Sequence, residues 1–373
     1  MRTLIAGGGT GGHLTPALAV ADALRASDPE GAVLLVGRRG GVAEELVERV
    51  GIPLEVLSVS GLDLSRPATL AGFSMRLPRA VREAQRLVRR FRPDVVVGAA
   101  GYVSVPVVLA AGREGVPVVL LEQNARPGRA TRLLARRAAA VATSFPETGR
   151  RLPHVRVEMT GNPVRAAFRS GAPPLGERCR RLLAWGGSQG ARRINRAVIA
   201  AVPELLRSHP DLEVAHQCGQ LDATEVLAAR DALPAELGRR WEVAAFFPDA
   251  AARVGWADLV VMRAGGSSLA EVTALGRPMV LVPYPHAGDH QRHNAEPYVR
   301  AGAAMVIPDA ECDGPRLGRE LEALIADPAR WRAMAARSWA AARPEATQRV
   351  VALLRRVAGH PSAPPACPAG AVR

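Results

Sequence analysis

Short apolar runs alternate with amphipathic stretches along the whole chain. The runs are rich in β-branched residues and leucine and are bounded by Gly or Pro, which is typical of buried parallel strands. In the first half they cover 4–6, 32–36, 95–97, 118–121 and 140–142. In the second half they cover 182–185, 213–215, 242–245, 259–262 and 279–282. This alternation of strand and helix predicts an α/β protein with two doubly wound, Rossmann-like domains.

The length of 373 residues also favours two domains over one. We place the boundary at the sequence GNPVR, residues 161–165, because Asn-Pro is a turn signal. The predicted domains are 1–163 and 164–338. A C-terminal helix over 339–357 is expected to return to the first domain, and the segment 358–373, rich in Pro and Ala, is expected to be a disordered tail.

Composition narrows the class of protein. Hydrophobic residues make up 48% and charged residues 23%, as in globular proteins, and the net charge of +14 comes entirely from arginine, which favours an acidic partner. Aromatic residues are only 4%, so a surface for stacking nucleic-acid bases is not expected. The sequence has no signal-peptide pattern and no run of eighteen apolar residues, so we predict a soluble, cytoplasmic protein. Neither a zinc site nor a disulfide framework is predicted from the widely spaced cysteines Cys179, Cys218, Cys312 and Cys367.

The stretch GGGTGGH, residues 7–13, follows the first apolar run and matches the dinucleotide pattern G-x-G-x-x-G. An NAD site also needs a carboxylate at the end of the second strand, to hold the ribose. That strand ends here in Gly37-Arg38-Arg39, without a carboxylate. NAD is therefore disfavoured, and an NADP-dependent oxidoreductase stays open as an alternative because either arginine could bind the extra phosphate.

Three further glycine-rich turns follow predicted strands, at 98–102, 186–190 and 263–271. Each would place backbone N–H groups at a helix N-terminus, where anions bind. A single loop of this kind is usually only a tight turn, whereas four in two domains predict a protein that handles phosphates.

The stretch PYPHAGDHQRHNA, residues 283–295, is dense in hydrogen-bonding side chains. Such a density suits recognition of sugar hydroxyls, and the alternative is a solvated polar loop. Its histidines lack the spacing of a metal-binding HExxH helix, so no metal site is predicted.

Seven motifs occur in the order found in one family: GGTGGH, GYVS, EQN, GNPVR, GGSQGARRIN, RAGGSSLAE and HQRHNA. Over residues 4–357 the chain resembles the MurG family, which belongs to glycosyltransferase family 28. Members transfer N-acetylglucosamine from UDP-N-acetylglucosamine to the undecaprenyl-linked muramyl peptide lipid I, forming lipid II in peptidoglycan synthesis. The resemblance implies the glycosyltransferase type B fold, in which two Rossmann-like domains face a cleft that holds the active site.

The resemblance implies one set of residues for the donor UDP-N-acetylglucosamine. Glu271 is expected to bind the ribose, although a solvated helix charge is the alternative, and the backbone near Phe247 is expected to contact uracil. Gln291 is expected to bind the sugar, and so is its neighbour His290, which stands where some members have glutamine. The full donor set is Thr10, Gly11, Gly12, Asn124, Arg165, Ser188, Phe247, Ser268, Glu271, His290 and Gln291.

For the acceptor, the resemblance implies that the first domain binds the lipid-linked diphosphate. The implied residues are Thr10, Gly11, Gly12, Gly101 and Tyr102. His13 is the candidate general base, since an ordinary histidine pKa suits that role at neutral pH. The alternatives are that His13 only caps its helix and that Asn124 positions the substrates. No cofactor beyond the co-substrate is implied, and a divalent ion stays open.

The stretch 66–92 carries eight arginines against the single acid Glu83, with apolar residues at helical spacing. The apolar stripe is typical of a helix packed on its own sheet. The predicted membrane face consists of Phe73, Met75, Arg82, Arg86 and Arg89. It would bind the anionic inner leaflet, so the protein is expected to be peripheral at the cytoplasmic face of the plasma membrane.

The rival interpretations are another type B glycosyltransferase acting on a lipid or secondary metabolite, a sugar-nucleotide 2-epimerase, and a basic nucleic-acid-binding protein. The motifs GGTGGH, EQN and GNPVR favour the MurG family over the first two. No nucleic-acid partner is expected, because no binding module is recognisable.

Overall fold

The computed structural model describes residues 1–8, 11–38, 51–59, 67–169, 174–187, 190–286 and 288–360. For residues 11, 13, 67–71, 73 and 74 it describes the backbone alone. The chain divides into two compact units. Unit 1 is Met1–Arg165 together with the chain from Glu345 onward, and unit 2 is Ala166–Pro344. These divisions fall a few residues beyond the predicted boundaries at 163 and 338.

The elements are named in chain order. In the first part of unit 1 they are β1 Arg2–Ala6, α1 Gly11–Ser27, β2 Ala32–Arg38, β3 Leu54–Leu57, α2 Pro67–Phe91, β4 Val95–Gly98, α3 Ser104–Arg113, β5 Val118–Glu122, α4 Arg129–Leu134, β6 Ala140–Thr143, α5 Pro146–Arg150 and β7 Val157–Met159. In unit 2 they are β8 Arg181–Trp185, α6 Arg192–Ser208, β9 Glu213–Gln217, α7 Ala223–Asp231, α8 Ala235–Gly238, β10 Trp241–Ala244, α9 Ala250–Trp256, β11 Leu259–Met262, α10 Gly266–Ala274, β12 Met279–Leu281, α11 His290–Arg300, β13 Ala304–Val306, α12 Gly314–Ile325 and α13 Pro328–Ala341. The last helix is α14, Ala346–Val357.

Unit 1 is built on a seven-stranded parallel sheet in the order β3-β2-β1-β4-β5-β6-β7. Side chains alternate between the two faces of each strand, so Ile5 and Leu4 enter different hydrophobic clusters. Ile5 packs with side chains of α1 and α14, and Leu4 packs with side chains of α2 and α3. Helices therefore cover both faces, as in a doubly wound domain.

Unit 2 repeats this plan with a six-stranded parallel sheet in the order β10-β9-β8-β11-β12-β13. Its main core cluster joins β8 to α6 and α12, with Leu182, Ile194 and Leu321 all fully buried. The predicted fold class, an α/β protein with two doubly wound domains, is confirmed.

The C-terminal helix predicted over 339–357 is wrong at its start. Helix α13 ends at Ala341 and α14 begins at Ala346. Pro344 lies in the gap, and proline disfavours helical backbone at the residue before it. Val350 and Leu354 of α14 belong to the hydrophobic cluster of unit 1 that contains Ile5 and side chains of α1. The Thr347 hydroxyl donates to the carbonyl of Val164 at 3.1 Å. The predicted tail lies outside the described residues from 361 onward.

Candidate functional site

The glycine-rich stretch 7–13 lies at the carboxyl end of β1, where the strand order reverses. β1 lies between β2 and β4, and the chain continues from β1 to β2 on one side and from β4 to β5 on the other. Such a reversal is the usual place for a ligand crevice in open α/β sheets. A Cβ atom on Gly7 would lie 3.2 Å from the Cβ of Ala99, and one on Gly8 would lie 3.4 Å from Cγ2 of Val103. The first two predicted phosphate loops therefore pack against each other.

Helix α1 begins inside the motif, so Gly11, Gly12 and His13 form its first turn. The positive end of the helix dipole lies at a first turn, which favours an anion there. Gly12 is exposed. Thr10 lies outside the described residues, as does the side chain of His13, so their roles remain predictions.

The loop after β4 contains two consecutive residues with left-handed backbone. Ala100 has φ 58° and Gly101 has φ 77°. A left-handed alanine costs about 1 kcal/mol, and such strain is often found at ligand-binding loops. The Ser104 hydroxyl donates to the Gly101 carbonyl at 2.6 Å and fixes the turn at the start of α3. Tyr102 is half-buried beside it.

The motif EQN ends β5 with a buried carboxylate. Glu122 is 1% exposed and accepts hydrogen bonds from the backbone N–H of Asn124 at 3.0 Å, from its Nδ2 at 3.0 Å and from the N–H of Gly128 at 2.8 Å. The hydroxyl of Thr148 donates to the Asn124 carbonyl at 2.8 Å. Asn124 is therefore held by its side chain and its backbone. Sequence reasoning missed Thr148, since no spacing pattern links it to Asn124.

In unit 2 the glycine loop after β8 packs on the end of β9. The N–H of Gly186 donates to the carbonyl of Gln217 at 3.0 Å. Gly190 has φ 74°, and a Cβ atom there would lie 2.4 Å from the carbonyl oxygen of Cys218. Ser188, predicted to face the diphosphate, lies outside the described residues.

A network of polar side chains, buried except for Arg192, holds the end of β9 on which this loop packs. Asn195 on α6 donates from Nδ2 to the carbonyl of Cys218 at 2.8 Å and to the carboxylate of Asp222 at 2.7 Å. Nε2 of His216 lies 2.9 Å from Oδ1 of Asn195, and the guanidinium of Arg192 donates to Asp222 at 3.1 Å. Burial lowers the pKa of His216 to about 3, against a smaller upward effect of Asp222. His216 is therefore a neutral structural group.

Helix α10 carries the predicted ribose and phosphate residues after β11. Ser268 lies in its first turn and is half-exposed. Glu271 is only 5% exposed, so the alternative of a solvated surface charge is wrong. Glu271 lies within the helix that follows the glycine loop after β11, and its contact with a ribose remains a prediction.

The stretch 283–295 is tied to the loop after β11. Oε1 of Gln291 accepts from the N–H of Ala264 at 3.1 Å and from the N–H of Tyr284 at 2.9 Å. The buried Asn294 donates from Nδ2 to the Ala264 carbonyl at 3.2 Å. The predicted alternative of a solvated polar loop is therefore wrong for the residues after 289, because His290 and Gln291 open α11 and both are half-buried.

The segment after β10 contains the predicted uracil contact. Phe247 is buried, and its backbone N–H donates to Oε1 of Gln217 at 2.9 Å. The guanidinium of Arg253 lies 4.4 Å from the centre of the Phe247 ring. This N–H is already bonded within the protein, so a contact of the segment with a base would use other backbone groups.

Arg165 is the last residue of the first part of unit 1, and it is half-buried. It acts on Asp22 of α1, whose pKa is raised by burial against the opposing effects of Arg25 and Arg165. This places the Arg165 cation near α1. Its contact with a donor diphosphate remains a prediction.

The predicted membrane face lies on α2. Arg82 and Arg86 are exposed, and Met75 is 83% exposed. Arg89 is exposed too, but it forms an ion pair with Glu114 at 2.9 Å. Phe73 has no described side chain. Ala84, Leu87 and Val88 on the opposite side are buried in the unit 1 core, which confirms that the apolar stripe faces the sheet.

Two kinds of feature are absent from the described part of the chain. None of its helices is both long enough and apolar enough to cross a membrane. No group of three or more His, Cys, Asp or Glu side chains within it is arranged to hold a metal ion. The cysteines described there, Cys179, Cys218 and Cys312, are free and buried.

Two parallel sheets with glycine loops and polar side chains at their carboxyl edges define a doubly wound α/β protein, a class in which such loops commonly bind nucleotides. The sequence matches the glycosyltransferase family 28 N-terminal domain over residues 3–143 and the family's C-terminal domain over residues 181–350. The chain belongs to glycosyltransferase family 28. An NADP-dependent oxidoreductase and a nucleic-acid-binding protein are accordingly left without support.

The relatives agree over nearly the full length. A UDP-N-acetylglucosamine--N-acetylmuramyl-(pentapeptide) pyrophosphoryl-undecaprenol N-acetylglucosamine transferase of Desulforudis audaxviator is 39% identical, over 96% of this chain and 99% of its own. A protein of the same name from Syntrophus aciditrophicus is 38% identical, over 91% of this chain and 93% of its own. The crystal structure of Acinetobacter baumannii MurG superimposes with a TM-score of 0.74 at 29% identity, over 95% of this chain and 99% of that one.

Proposed function

We propose that this protein transfers N-acetylglucosamine from UDP-N-acetylglucosamine to the muramyl C4 hydroxyl of lipid I and so forms lipid II for peptidoglycan. The named activity of relatives that match nearly the whole chain supports the reaction. The observation that carries the proposal within the structure is the buried Glu271, on the helix that follows a glycine loop.

Unit 2 would bind the donor. Glu271 would accept hydrogen bonds from the ribose hydroxyls, and Ser268 with the first turn of α10 would contact the α-phosphate. The loop after β8, with Ser188, would face the diphosphate together with Arg165. The Arg165 cation and these N–H donors would stabilise the charge that develops as UDP leaves.

The sugar would lie near the loop after β11. Oε1 of Gln291 already accepts from two backbone N–H groups, so its Nε2 is the atom that would donate to a sugar oxygen. His290 opens the same helix and would contact the sugar beside it. Asn124, oriented by Glu122 and Thr148, would bind a hydroxyl of the sugar.

Unit 1 would bind the acceptor diphosphate at two adjacent loops, with Gly11 and Gly12 in one and Gly101 and Tyr102 in the other. The muramyl C4 oxygen would attack the anomeric carbon while the bond from that carbon to the UDP phosphate oxygen breaks. His13 would take the proton of the hydroxyl, and UDP would leave with the bonding electrons. Attack from the side opposite to UDP inverts the anomeric carbon and gives a β-linkage.

Binding of UDP tests the ribose contact of the donor site. A hydrogen bond to a charged group contributes about 1.5–3 kcal/mol, so Glu271→Ala should raise the Kd for UDP by about tenfold or more. The matched control is Glu204→Ala, which removes a helix carboxylate of the same unit with 74% of its side chain exposed. Titration calorimetry measures both. An unchanged Kd in Glu271→Ala would exclude the ribose role.

The basic face of α2 would hold the protein at the cytoplasmic face of the plasma membrane. Each arginine near an anionic surface contributes about 1 kcal/mol. Since Arg89 is paired with Glu114, we expect Arg82 and Arg86 to contribute more. The double variant Arg82→Glu/Arg86→Glu should lose salt-sensitive flotation with vesicles of anionic phospholipid. Arg239→Glu/Arg319→Glu makes the same charge change at exposed sites of unit 2 and should float normally. Equal flotation of the two double variants would rule out this face.

A further inference from the structure

Gln217 connects two segments that the donor would contact. It is the last residue of β9 and is 1% exposed. Its backbone carbonyl accepts from the N–H of Gly186 in the glycine loop at 3.0 Å. Its side-chain Oε1 accepts from the N–H of Phe247 in the segment after β10 at 2.9 Å.

The neighbours of Gln217 fix the end of β9. His216 and Cys218 both bond to the side chain of Asn195, at 2.9 and 2.8 Å. The N–H of Cys218 also donates to the carbonyl of Ala244 at 3.0 Å. With its backbone held on both sides, Gln217 presents its side-chain oxygen to Phe247 from a fixed position.

The bond to Phe247 sets the direction of one carbonyl group. The peptide between Phe246 and Phe247 is trans, so its C=O points opposite to its N–H. The N–H points at the buried Gln217, and the carbonyl oxygen of Phe246 therefore points away from it. Phe246 itself is exposed, with 46% of its surface accessible.

An outward carbonyl distinguishes the two pyrimidine bases. Uracil carries an N3–H donor, whereas N3 of cytosine is an acceptor and would face the carbonyl without a hydrogen. We propose that Gln217 is a positioning residue for base specificity, which holds the 246–247 peptide so that its carbonyl accepts from uracil and rejects cytosine. This inference rests on the proposed function, because it places the uracil of the donor at this segment.

The test compares the Kd for UDP and for CDP by titration calorimetry. Gln217→Met keeps the side-chain length but removes the acceptor, so the 246–247 peptide is free to rotate. We expect the preference of the parent for UDP over CDP to fall about tenfold. The matched control is Ser338→Ala, which removes another buried hydrogen bond from a side chain to a backbone group of unit 2, at 2.8 Å to Arg277. This control should keep the preference of the parent.

A folded Gln217→Met protein with the preference of the parent would overturn the inference and leave the proposed function standing. Gln217→Glu decides the matter if the methionine variant does not fold. It keeps an acceptor oxygen for the Phe247 N–H and should keep the preference, so a loss of preference in this variant would also overturn the inference. A parent protein that binds neither nucleotide would contradict the proposed function and, with it, the role of Gln217.

Discussion

The loop after β1 and the loop after β8 open the two units in the same way, as a strand, a glycine-rich turn and a helix. The neighbours of their glycines differ. In unit 1, Cβ atoms on Gly7 and Gly8 would meet side-chain atoms at 3.2 and 3.4 Å. In unit 2, a Cβ on Gly186 would lie 2.9 Å from a backbone carbonyl, and one on Gly190 only 2.4 Å from another.

The layers beneath the two loops differ as well. The loop after β1 rests on the apolar side chains of Ala99 and Val103. The loop after β8 packs on the backbone of Gln217 and Cys218 at the end of β9, which is held by the polar network around Asn195. Side chains can shift by a few tenths of an ångström, but this backbone cannot do so without breaking the hydrogen bonds of Cys218 to Ala244 and Asn195. We therefore expect the unit 2 loop to tolerate fewer substitutions. We also expect the stability of unit 2 to depend on pH through His216 of the polar network.

Gly190→Ala should have the largest effect. A left-handed alanine costs about 1 kcal/mol, and the approach of its Cβ to the Cys218 carbonyl adds further strain. We expect the free energy of unfolding of unit 2 to fall by at least about 3 kcal/mol. All five tryptophans, at 185, 241, 256, 331 and 339, lie in unit 2, so tryptophan fluorescence in urea reports this unit.

Gly187→Ala separates the two causes of that loss. Gly187 also has a left-handed backbone, with φ 70°, but a Cβ there would meet nothing within 4 Å. The free energy of unfolding of unit 2 should fall by only about 1 kcal/mol in this variant. Equal losses in Gly187→Ala and Gly190→Ala would show that packing against Cys218 does not restrict the loop.

The next largest effect is expected from pH, which should change the free energy of unfolding of unit 2. Because burial lowers the pKa of folded His216 to about 3, only the unfolded chain binds its proton between pH 6.5 and pH 3. This contribution is complete above pH 6.5 and is lost as the pH falls. Between pH 7 and pH 5 the contribution of His216 to the free energy of unfolding falls by about 2 kcal/mol.

His216→Gln removes the titration but keeps an N–H donor for Asn195. Unfolding in urea at pH 7 and pH 5, followed by tryptophan fluorescence, should show that the parent loses about 2 kcal/mol more than this variant. Parallel losses in the two proteins would mean that His216 is not buried as a neutral group.

Gly8→Ala should have the smallest effect, since its Cβ would make an ordinary contact with Val103 at 3.4 Å. We expect a change in stability within about 0.5 kcal/mol. Hydrogen exchange of the β1 amides measures it in unit 1. A loss comparable to that of Gly190→Ala would remove the contrast between the two loops.

The interior of both sheets could be predicted from the sequence, and most of the edges could not. The central strands are fully buried, so their apolar runs are continuous. The strands that prediction missed, β3, β7 and β13, all lie at sheet edges. Their residues are largely half-exposed, so no apolar run marks them. The break at Pro344 was readable in the sequence, but the helical pattern on both sides concealed it.

Within the candidate site, motifs located the loops but not the residues that hold them. Glycine runs mark the turns because only the turns require glycine. Thr148 and Gln217 each act through one hydrogen bond to the backbone of a distant residue, and such a bond imposes no local pattern. The burial of Glu271 likewise depends on tertiary packing.

Transfer from UDP-N-acetylglucosamine, labelled in the sugar, to a lipid I analogue tests the central claim most directly. The proposal predicts that label moves to the lipid in a β-linkage, and that His13→Gln loses most of the transfer rate while its Kd for UDP is unchanged. Release of UDP without label in the lipid, or transfer by His13→Gln at the parent rate, would contradict the reaction or the assignment of its base, respectively.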